Sequence, residues 1–452
     1  MLRAACLCVC LFWLYSPTYA APPNIIFILM DDFGYADLGC YGGKDIRTPN
    51  IDRIAARGVR FENFYSNAPV CTPTRCAFIT GRWQQRVGFE YAMGYGAENF
   101  VRRDGQWVKS TDFHSFGLPT SNPSIAKFLK TSGYATGAFG KWHLGLRDEF
   151  NPLHHGFDEF FGEMLGHCDY YKHDYYDGTH ALRDGLKSVQ HDGRYLTDML
   201  NARAAKFIRE HARKPFFLYV PHLAVHAPWQ APDKPNTPFV TKESMYDGTR
   251  EIYRAMVERV DLGVGMIFAE LEEAGVAENT LIVLSSDNGG ERLSDNRPLF
   301  HNKTTLWEGG IHVPCVMSWP AKLPKGITIK QPAITMDLTA TFLAAAETKL
   351  PPAYQPDGMN LLPILTGAQP ERERTFCWRI QRGLRTQWAI RHGKWKFLRD
   401  ADTNDLLFDL EADIGERRNL YYEHQDIAQG LKKRYQAWAD EMDASDRAFL
   451  VK

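Results

Sequence analysis

The stretch from Cys71 to Arg75, Cys-Thr-Pro-Thr-Arg, places a potential nucleophile four residues before a permanent cation. Pro73 favours the start of a short helix at this point, and Gly81 can end that helix. Cys71 would then lie near a helix N-terminus, where the helix dipole and Arg75 both favour a negative charge. The pattern predicts a reactive cysteine, with a plain thiolate nucleophile and a half-buried structural cysteine as the alternatives.

A second group of residues offers oxygen atoms to a cation. Asp31 and Asp32 end one apolar run, and Asp287 and Asn288 follow another through two serines. Ligands of an open α/β sheet gather beyond the carboxyl ends of its strands, so these side chains can meet there. Three carboxylates and one amide oxygen suit a hard cation such as calcium or magnesium. Each motif alone is equally compatible with an ordinary turn or cap.

Strands and helices must alternate along the chain to bring these residues together. Apolar runs typical of buried strands cover 24–30, 134–139, 215–220, 280–284 and 313–319. Helical patterns cover 51–57, 124–132, 197–211, 251–274 and 336–346. This alternation predicts an α/β fold with a large, mostly parallel or mixed sheet sandwiched by helices.

The alternation stops in a proline-rich stretch at 351–367. Beyond it, the sequence predicts a smaller C-terminal antiparallel sheet and one helix. The predicted strands cover 375–380, 387–391 and 395–399, and the helix covers 427–442. We therefore predict a boundary near residue 370, with a catalytic domain at 21–370 and a small α+β subdomain at 371–452.

The bulk composition and the N-terminus bear on partners and location. The chain of 452 residues has 53 Lys plus Arg against 54 Asp plus Glu, which predicts no nucleic-acid partner and no charge-driven lipid binding. Arg3, an apolar run and a small-residue site ending at Ala20 predict a signal peptide at 1–20 and an exported protein. The run is too short for a membrane anchor, so we expect no membrane span in the mature chain.

Residues 71–82 resemble the signature of the type I sulfatases of the alkaline phosphatase superfamily, which is Cys-x-Pro-Ser/Thr-Arg followed by x-x-x-x-Thr-Gly-Arg. Further segments match in the family's order: Asp31-Asp32, Gly140 to Gly145, Ser286 to Gly289, Lys303 with Glu308-Gly309-Gly310, and the tail segments 407–410 and 415–420. Residues 151–158 and the His-Ala-Pro at His226 are similar to N-acetylgalactosamine-6-sulfatase-like and arylsulfatase-like members. His312, where arginine is frequent, and Ile414, where proline is usual, depart from the pattern.

The resemblance implies that Cys71 is oxidised to formylglycine by a formylglycine-generating enzyme while the exported chain is unfolded. It also implies one calcium ion per chain, bound by Asp31, Asp32, Asp287, Asn288 and the modified residue 71. Arg75 would hold the nucleophile, and Lys141 and Lys303 would bind the sulfate oxygens. His226 would protonate the leaving oxygen. His143 would take the proton of the second formylglycine hydroxyl, which expels sulfate and restores the aldehyde.

The implied substrate is a sulfate monoester, expected on a sulfated carbohydrate. His167, Arg379 and Arg382 are candidate sugar contacts, although packing or surface roles fit them equally. Asn302-Lys303-Thr304 matches the N-glycosylation pattern, and we predict that it stays bare because a glycan there would obstruct the sulfate site. The alternatives are a metal-dependent phosphatase or phosphodiesterase of the same superfamily and a non-catalytic glycan-binding relative.

Overall fold

The structure is a computed structural model, and it describes residues 21–94, 99–103, 106–110, 116–382 and 385–445. The predicted signal peptide at 1–20 lies outside the described residues. None of the helices in the described ranges is long and apolar enough to cross a membrane. The six cysteines of the described ranges are all free, so disulfides do not hold this part of the chain together.

A ten-stranded sheet forms the centre of the molecule. Its five middle strands are parallel, and the neighbours on either side of them run antiparallel, so the predicted mixed sheet is confirmed. In spatial order the strands are β13 (Ile327–Ile329), β2 (Val59–Phe61), β12 (Cys315–Ser318), β11 (Thr280–Ser286), β1 (Asn24–Met30), β10 (Phe216–Pro221), β6 (Ala135–Lys141), β7 (Glu159–Glu163), β8 (Leu182–Asp184) and β9 (Lys187–Ser188).

The central position of β1 explains its composition. All seven of its residues are buried, because helices cover both faces of the sheet and leave no side for polar residues. This is the pattern that an uninterrupted apolar run predicts.

Helices pack on the two faces of the large sheet. In chain order, the helices of the described ranges are α1 (Pro49–Ala56), α2 (Cys71–Thr80), α3 (Ile125–Thr131), α4 (Leu196–His211), α5 (Arg250–Glu273), α6 (Glu308–Ile311), α7 (Thr335–Ala345), α8 (Leu362–Leu365) and α9 (Gln425–Asp443). One face contributes β1 residues such as Ile26 and Ile28 to a core with α1, α4 and α5. The other face contributes Ile25 and Phe27 to a core with α2, α3 and α7.

The C-terminal residues form the predicted antiparallel sheet with one helix. Its strands are β15 (Thr375–Arg382), β16 (Arg385–His392), β17 (Trp395–Asp400) and β18 (Asn404–Asp409). One face of this sheet packs on α9, whereas Trp378 and Ile380 on the other face share a core with Tyr65, Leu306 and Ile311 of the main body. The predicted boundary near residue 370 falls between α8 and β15 and stays a prediction.

The sequence missed several short strands: β7 to β9, β18, the pair β3 (Phe64–Tyr65) and β14 (Ala333–Ile334), and the hairpin β4 (Asn99–Arg103) and β5 (Gln106–Ser110). Strands of two to six residues are too short to show a clear alternation of apolar and polar residues. Their pairing also depends on neighbours that are distant in sequence.

Candidate active site

The ends of the central strands bring the predicted site residues together in one buried place. Asp31 and Asp32 follow β1, Lys141 ends β6, and Asp287 and Asn288 follow β11. The loop after β10 adds His226, and Cys71 opens α2. The side chains of Asp31, Asp32, Cys71 and His226 offer ligand atoms that all lie within 4.8 Å of one another. The carboxyl ends of adjacent parallel strands share one edge of the sheet, which is why residues almost 260 positions apart converge.

Arg75 lies behind Cys71 on α2 and is fully buried. Its Nε and Nη2 donate to Asp287 Oδ2 at 2.9 and 2.7 Å, and Nη2 also donates to Asp31 Oδ2 at 3.1 Å. Its Nη1 donates to the backbone oxygen of Lys141 at 2.7 Å. The guanidinium therefore joins α2 to the ends of β1, β6 and β11, and only its forked, planar set of donors can reach all three.

The two predicted sulfate-binding lysines lie against the paired aspartates. Lys141 Nζ is 2.5 Å from Asp31 Oδ2, and Lys303 Nζ donates to Asp32 Oδ2 at 2.7 Å. Burial alone would raise the pKa of Asp31, but the charge of Lys141, with His226 and Arg75, outweighs it and holds that pKa below its usual range. Burial raises the pKa of Asp32 to about 7 despite the opposing charge of Lys303.

Asn288 provides the observation that bears on a metal ion. Its Nδ2 donates to Asp32 Oδ1 at 2.8 Å and to the backbone oxygen of Gly289 at 2.9 Å. Its Oδ1 is buried and has no hydrogen-bond partner among the described residues. An unpaired buried acceptor is costly, and a cation would satisfy it. With the three carboxylates it completes an all-oxygen set of the kind that calcium takes, so the residues present fit that ion.

Family models match most of the chain. A sulfatase family model matches residues 23–348, and a model described as N-sulphoglucosamine sulphohydrolase, C-terminal, matches residues 298–441. The chain belongs to the sulfatase family. Its fold is accordingly that of the alkaline phosphatase-like sulfuric ester hydrolases.

Known proteins similar to this sulfatase include enzymes with different substrates in their names. N-acetylgalactosamine-6-sulfatase of Rattus norvegicus is 35% identical over 365 residues, covering 76% of this chain and 66% of that protein. Steryl-sulfatase of Mus musculus is 30% identical and covers 94% and 82%. The crystal structure of Ps i-CgsB in complex with k-i-k-neocarrahexaose superposes with a TM-score of 0.82 at 31% identity, covering 94% of each chain.

The environment of Cys71 in this sulfatase differs from the sequence expectation. Its side chain is buried, and its Sγ lies 3.5 Å from Asp31 Oδ1. Burial, and after it the charge of Asp31, raises the pKa of the thiol above its usual range. The helix N-terminus and Arg75 therefore do not make it a thiolate, which argues against the plain-thiolate alternative.

His143 and His226 are both buried in the site. His143 Nε2 contacts the backbone oxygen of Met93, and this contact requires a proton on Nε2. Its Nδ1 is then unprotonated, and it has no partner among the described residues. His226 is held through Nδ1 by its neighbour's carbonyl, so its Nε2 faces Asp32 Oδ2 at 3.6 Å. Nδ1 of His143 and Nε2 of His226 are therefore the ring nitrogens that no backbone carbonyl of the described ranges holds.

Two non-glycine residues of the site have left-handed backbone conformations. Asp32 has φ of 58° and His143 has φ of 57°. Such conformations cost of order 1 kcal/mol or more and persist at functional sites where the surrounding structure imposes them. Both occur at the first or second residue after a central strand, where the chain turns its side chain into the site.

The three candidate sugar contacts have different surroundings. His167 is half-buried and stacks on Tyr176 at 4.8 Å between ring centroids, and Arg382 is exposed and lines a cavity of about 140 Å³ with Thr304. Arg379 is only 4% exposed, and its Nε donates to Glu90 Oε2 at 2.6 Å. A guanidinium buried in this way joins β15 to the main body, so we do not retain Arg379 as a sugar contact.

Two tyrosines lie close enough to Lys303 for its charge to act on them. Burial raises the pKa of Tyr91 and of Tyr246, and the charges of Lys303 and Arg382 act on both in the opposite direction. The loop at Glu90-Tyr91 is one that the sequence predicts as a candidate sugar contact. Sequence analysis missed Tyr246, because nothing in the pattern distinguishes it from a surface tyrosine.

Proposed function

We propose that this sulfatase hydrolyses a sulfate monoester on a carbohydrate through a formylglycine made from Cys71 and one calcium ion. The observation that carries the proposal is the convergence of three carboxylates, three fixed cations and two histidines around buried Cys71. The unpaired Oδ1 of Asn288 in the same place supports the metal ion.

The formal charges of the site suit an anionic ester. The carboxylates of Asp31, Asp32 and Asp287 are matched by three cations, Arg75, Lys141 and Lys303. A divalent ion would add the positive charge that an ionised nucleophile and a sulfate monoester require. Without that compensation, burying both anions in a low-dielectric environment would be costly.

The bound calcium ion and the formylglycine supply a positive charge and an oxygen nucleophile. Asp31, Asp32, Asp287 and Asn288 would hold the ion. Arg75 fixes the start of α2, and with it residue 71, against the ends of β1 and β11. The nucleophile is thereby positioned before any substrate arrives, so that little reorganisation accompanies the reaction.

Lys141 and Lys303 bind the sulfate oxygens in this proposal. Both ammonium groups are anchored by an aspartate, at 2.5 and 2.7 Å, and approach the site from different elements. The carboxylates of Asp31 and Asp32 raise the pKa of Lys141 and Lys303 against the effect of burial, so both remain charged. Two charged donors in a buried pocket stabilise the negative charge that grows on the oxygens during transfer.

The two histidines divide the proton transfers. His226 protonates the leaving oxygen from Nε2 of its imidazolium form, because its Nδ1 proton is already donated to a backbone carbonyl. His143 accepts a proton at Nδ1 in the second half of the reaction, because its Nε2 proton is engaged by Met93. The two residues lie on different loops, so each can serve one step.

The names of two relatives and three side chains of this protein support a carbohydrate substrate. We call these side chains, His167, Tyr176 and Arg382, the entrance of the site. The rat relative is named for a sulfated amino sugar, and the Ps i-CgsB structure contains a neocarrahexaose. In this chain the stacked pair of His167 and Tyr176 offers a flat aromatic surface to a sugar ring, and Arg382 offers a cation to its polar groups. A sulfated carbohydrate fits this entrance better than an apolar alcohol.

Maturation and location complete the proposal. A formylglycine-generating enzyme is the partner that converts Cys71, and it must act before folding because the folded chain buries this side chain. Residues 1–20 direct export, to the periplasm, the medium or a lysosome-like lumen. Asn302 remains unglycosylated because a glycan beside Lys303 would block the sulfate site.

The test is sulfate release in calcium buffer by protein made together with a formylglycine-generating enzyme. An aryl sulfate and a panel of sulfated mono- and oligosaccharides are the substrates, and Cys71→Ala is the control. We expect release by the wild type only, and a peptide mass that shows formylglycine at 71. Faster cleavage of phosphate esters would favour the phosphatase alternative. Binding of sulfated sugars without release, with Cys71 unmodified, would favour the glycan-binding alternative.

A further inference from the structure

Lys303 lies in a long irregular segment of the chain. Residues 287–307, between β11 and α6, contain no helix or strand. Segments of this length without regular structure are ordinarily mobile. Lys303 nevertheless must hold its ammonium group against Asp32 Oδ2 at 2.7 Å. Contacts with the rest of the chain must therefore fix the end of this segment and the first residue of α6. We call these residues, 303–308, the lysine loop.

The main body holds the first residues of the lysine loop through backbone hydrogen bonds. The amide of Lys303 donates to the backbone oxygen of Gly290 at 3.1 Å, and the amide of Thr304 donates to Pro69 at 2.8 Å. Thr304 has φ of 72°, a conformation that a β-branched residue adopts only when its surroundings impose it.

Three strands of the C-terminal sheet donate to or accept from the lysine loop. Arg382 Nη1 donates to Thr304 Oγ1 at 2.9 Å, and the amide of Leu306 donates to Gln387 Oε1 at 3.2 Å. Lys396 Nζ donates to Glu308 Oε1 at 2.8 Å. Arg382, Gln387 and Lys396 belong to β15, β16 and β17 respectively. Three neighbouring strands of one sheet therefore hold residues 304, 306 and 308 of the loop.

The last of these contacts is part of a buried ion cluster. Lys396 lies 2.8 Å from both Glu308 Oε1 and Glu416 Oε1, and all three side chains are fully buried. The amide of Glu308 also donates to Glu416 Oε2 at 2.6 Å, and Tyr65 donates to Glu308 Oε2 at 2.6 Å. Buried ion clusters contribute little net stability but can fix one arrangement, because any other arrangement leaves a buried charge unpaired.

Gln387 is itself held in place. Its Nε2 donates to Asp400 Oδ1 at 2.8 Å, and Arg385 Nε donates to the same oxygen at 2.8 Å. The acceptor that meets the amide of Leu306 therefore cannot rotate away without breaking a second hydrogen bond. Leu306 is fully buried against Trp378 and Ile380 of the same sheet, which adds an apolar contact to the polar one.

We propose that the C-terminal sheet positions Lys303 for sulfate binding, with Gln387 and Lys396 as positioning residues. The proposal rests on the proposed function, because Lys303 is taken to bind the sulfate. Neither positioning residue touches the substrate. Each acts by fixing the chain three to five residues beyond Lys303, and small displacements of a charged donor are sufficient to weaken transition-state binding.

The first arm of the test measures amide hydrogen exchange in Gln387→Leu. Leucine is similar to glutamine in size but lacks the oxygen that accepts the hydrogen bond from the Leu306 amide. Faster exchange at 303–308, with β11 unchanged, is expected. The matched control is Thr386→Val, a β-branched exchange at the neighbouring position of β16, which should leave the loop unaffected. Unchanged exchange at 303–308 in Gln387→Leu would overturn the proposal. This arm needs no enzymatic activity.

The second arm is a double-mutant cycle on kcat/KM. Gln387→Leu should lower kcat/KM for a sugar sulfate by about tenfold, and should lower it no further in a Lys303→Ala background. Independent, multiplying losses would overturn the proposal, because they would show that Gln387 acts on the fold rather than through Lys303. If Gln387→Leu fails to fold, Thr304→Val takes its place, since it removes only the acceptor for Arg382.

The two arms separate this proposal from the proposed function. If the wild type released no sulfate, the proposed sulfatase reaction would be wrong. The hydrogen-exchange measurement would still test whether the C-terminal sheet holds the lysine loop. A normal kcat/KM in Gln387→Leu, together with a strong loss in Lys303→Ala, would overturn the positioning role while leaving the sulfate-binding lysine intact.

Discussion

The guanidinium of Arg75 meets a single oxygen of Asp287 twice, from Nε at 2.9 Å and from Nη2 at 2.7 Å, and neither side chain is exposed. Arg75 belongs to α2 and Asp287 follows β11, so this pair joins the helix that begins with Cys71 to one of the strands that carry the proposed calcium ligands. The pair therefore fixes the proposed nucleophile and the proposed metal site in one position relative to each other.

Arg75→Lys should therefore impair catalysis more than its retained charge suggests. A lysine has one point of charge and cannot reach Asp287, Asp31 and the backbone oxygen of Lys141 together. We expect kcat to fall by about 10²- to 10³-fold. Breaking this buried pair should also cost about 3 kcal/mol of the free energy of unfolding, measured by urea denaturation. Arg86→Lys, at a partly exposed pair with Asp357, is the control.

Removal of calcium should lower both activity and thermal stability. A ligand at a hundred times its Kd stabilises the folded state by about 2.7 kcal/mol, and chelation removes that contribution. Asn288→Leu deletes the unpaired Oδ1 and should abolish the calcium-dependent rise in Tm, while Asn288→Asp should retain it. A wild-type Tm that is indifferent to calcium and to chelator would contradict the metal site.

The effect of removing His226 on kcat/KM should depend on the leaving group. His226→Gln removes the proton donor at Nε2, which matters most when the leaving alcohol is a poor one. For a sugar sulfate we expect kcat/KM to fall by about 10²- to 10⁴-fold, and for an aryl sulfate with an acidic phenol to fall much less. Equal losses on both substrates would show that His226 does not act as the acid.

The pH dependence of kcat/KM should fall on the acid side of neutrality. Burial, and after it the charge of Lys303, lowers the pKa of His226 below its usual 6.5. His226 must be protonated to act as the acid in the first half of the reaction, which kcat/KM reports, so kcat/KM falls as the pH rises through this pKa. We expect the falling limb below pH 6.5 in the wild type and its loss in His226→Gln. A wild-type kcat/KM that stays constant up to pH 7 would contradict this role.

Glu163 should make stability depend on pH. It is buried at the end of β7, neither carboxylate oxygen has a hydrogen-bond partner of ordinary geometry among the described residues, and burial raises its pKa from 4.5 to about 7. Because this pKa is higher in the folded than in the unfolded chain, the carboxyl group favours the folded chain most at pH values below 4.5. This contribution to the free energy of unfolding is lost as the pH rises through 7. The shift from 4.5 to about 7 corresponds to about 3 kcal/mol.

Glu163→Gln should therefore be more stable than the wild type at pH 8 and should lose much of the decline between pH 5 and pH 8. Urea denaturation at both pH values measures the difference. The exposed Glu149→Gln is the control, and it should follow the wild type. Identical pH dependence in Glu163→Gln and the wild type would show that this carboxyl does not titrate in that range.

Sequence patterns anticipated the central strands and the long helices within a few residues. The run at 24–30 matches β1, and the helical pattern at 251–274 is α5, shifted by one residue. Both elements carry long apolar patterns because they lie against the core. The short strands β7 to β9 carried no such pattern, because their pairing depends on distant partners rather than on their own composition.

The amino-acid sequence by itself determined the chemistry of this protein and the order of its main elements. The sequence specifies the family and a set of reactive groups through the spacing in residues 71–82 and through the acidic residues at the strand ends. It can do so because sulfate-ester cleavage in this family uses the same few types of side chain. Only the tertiary structure decided the contacts of those groups: that Arg379 is buried against Glu90, that Cys71 is buried beside Asp31, and that a distant sheet holds the lysine loop. Burial, charge pairing and loop position are properties of the packed chain, and residues hundreds of positions apart create them together.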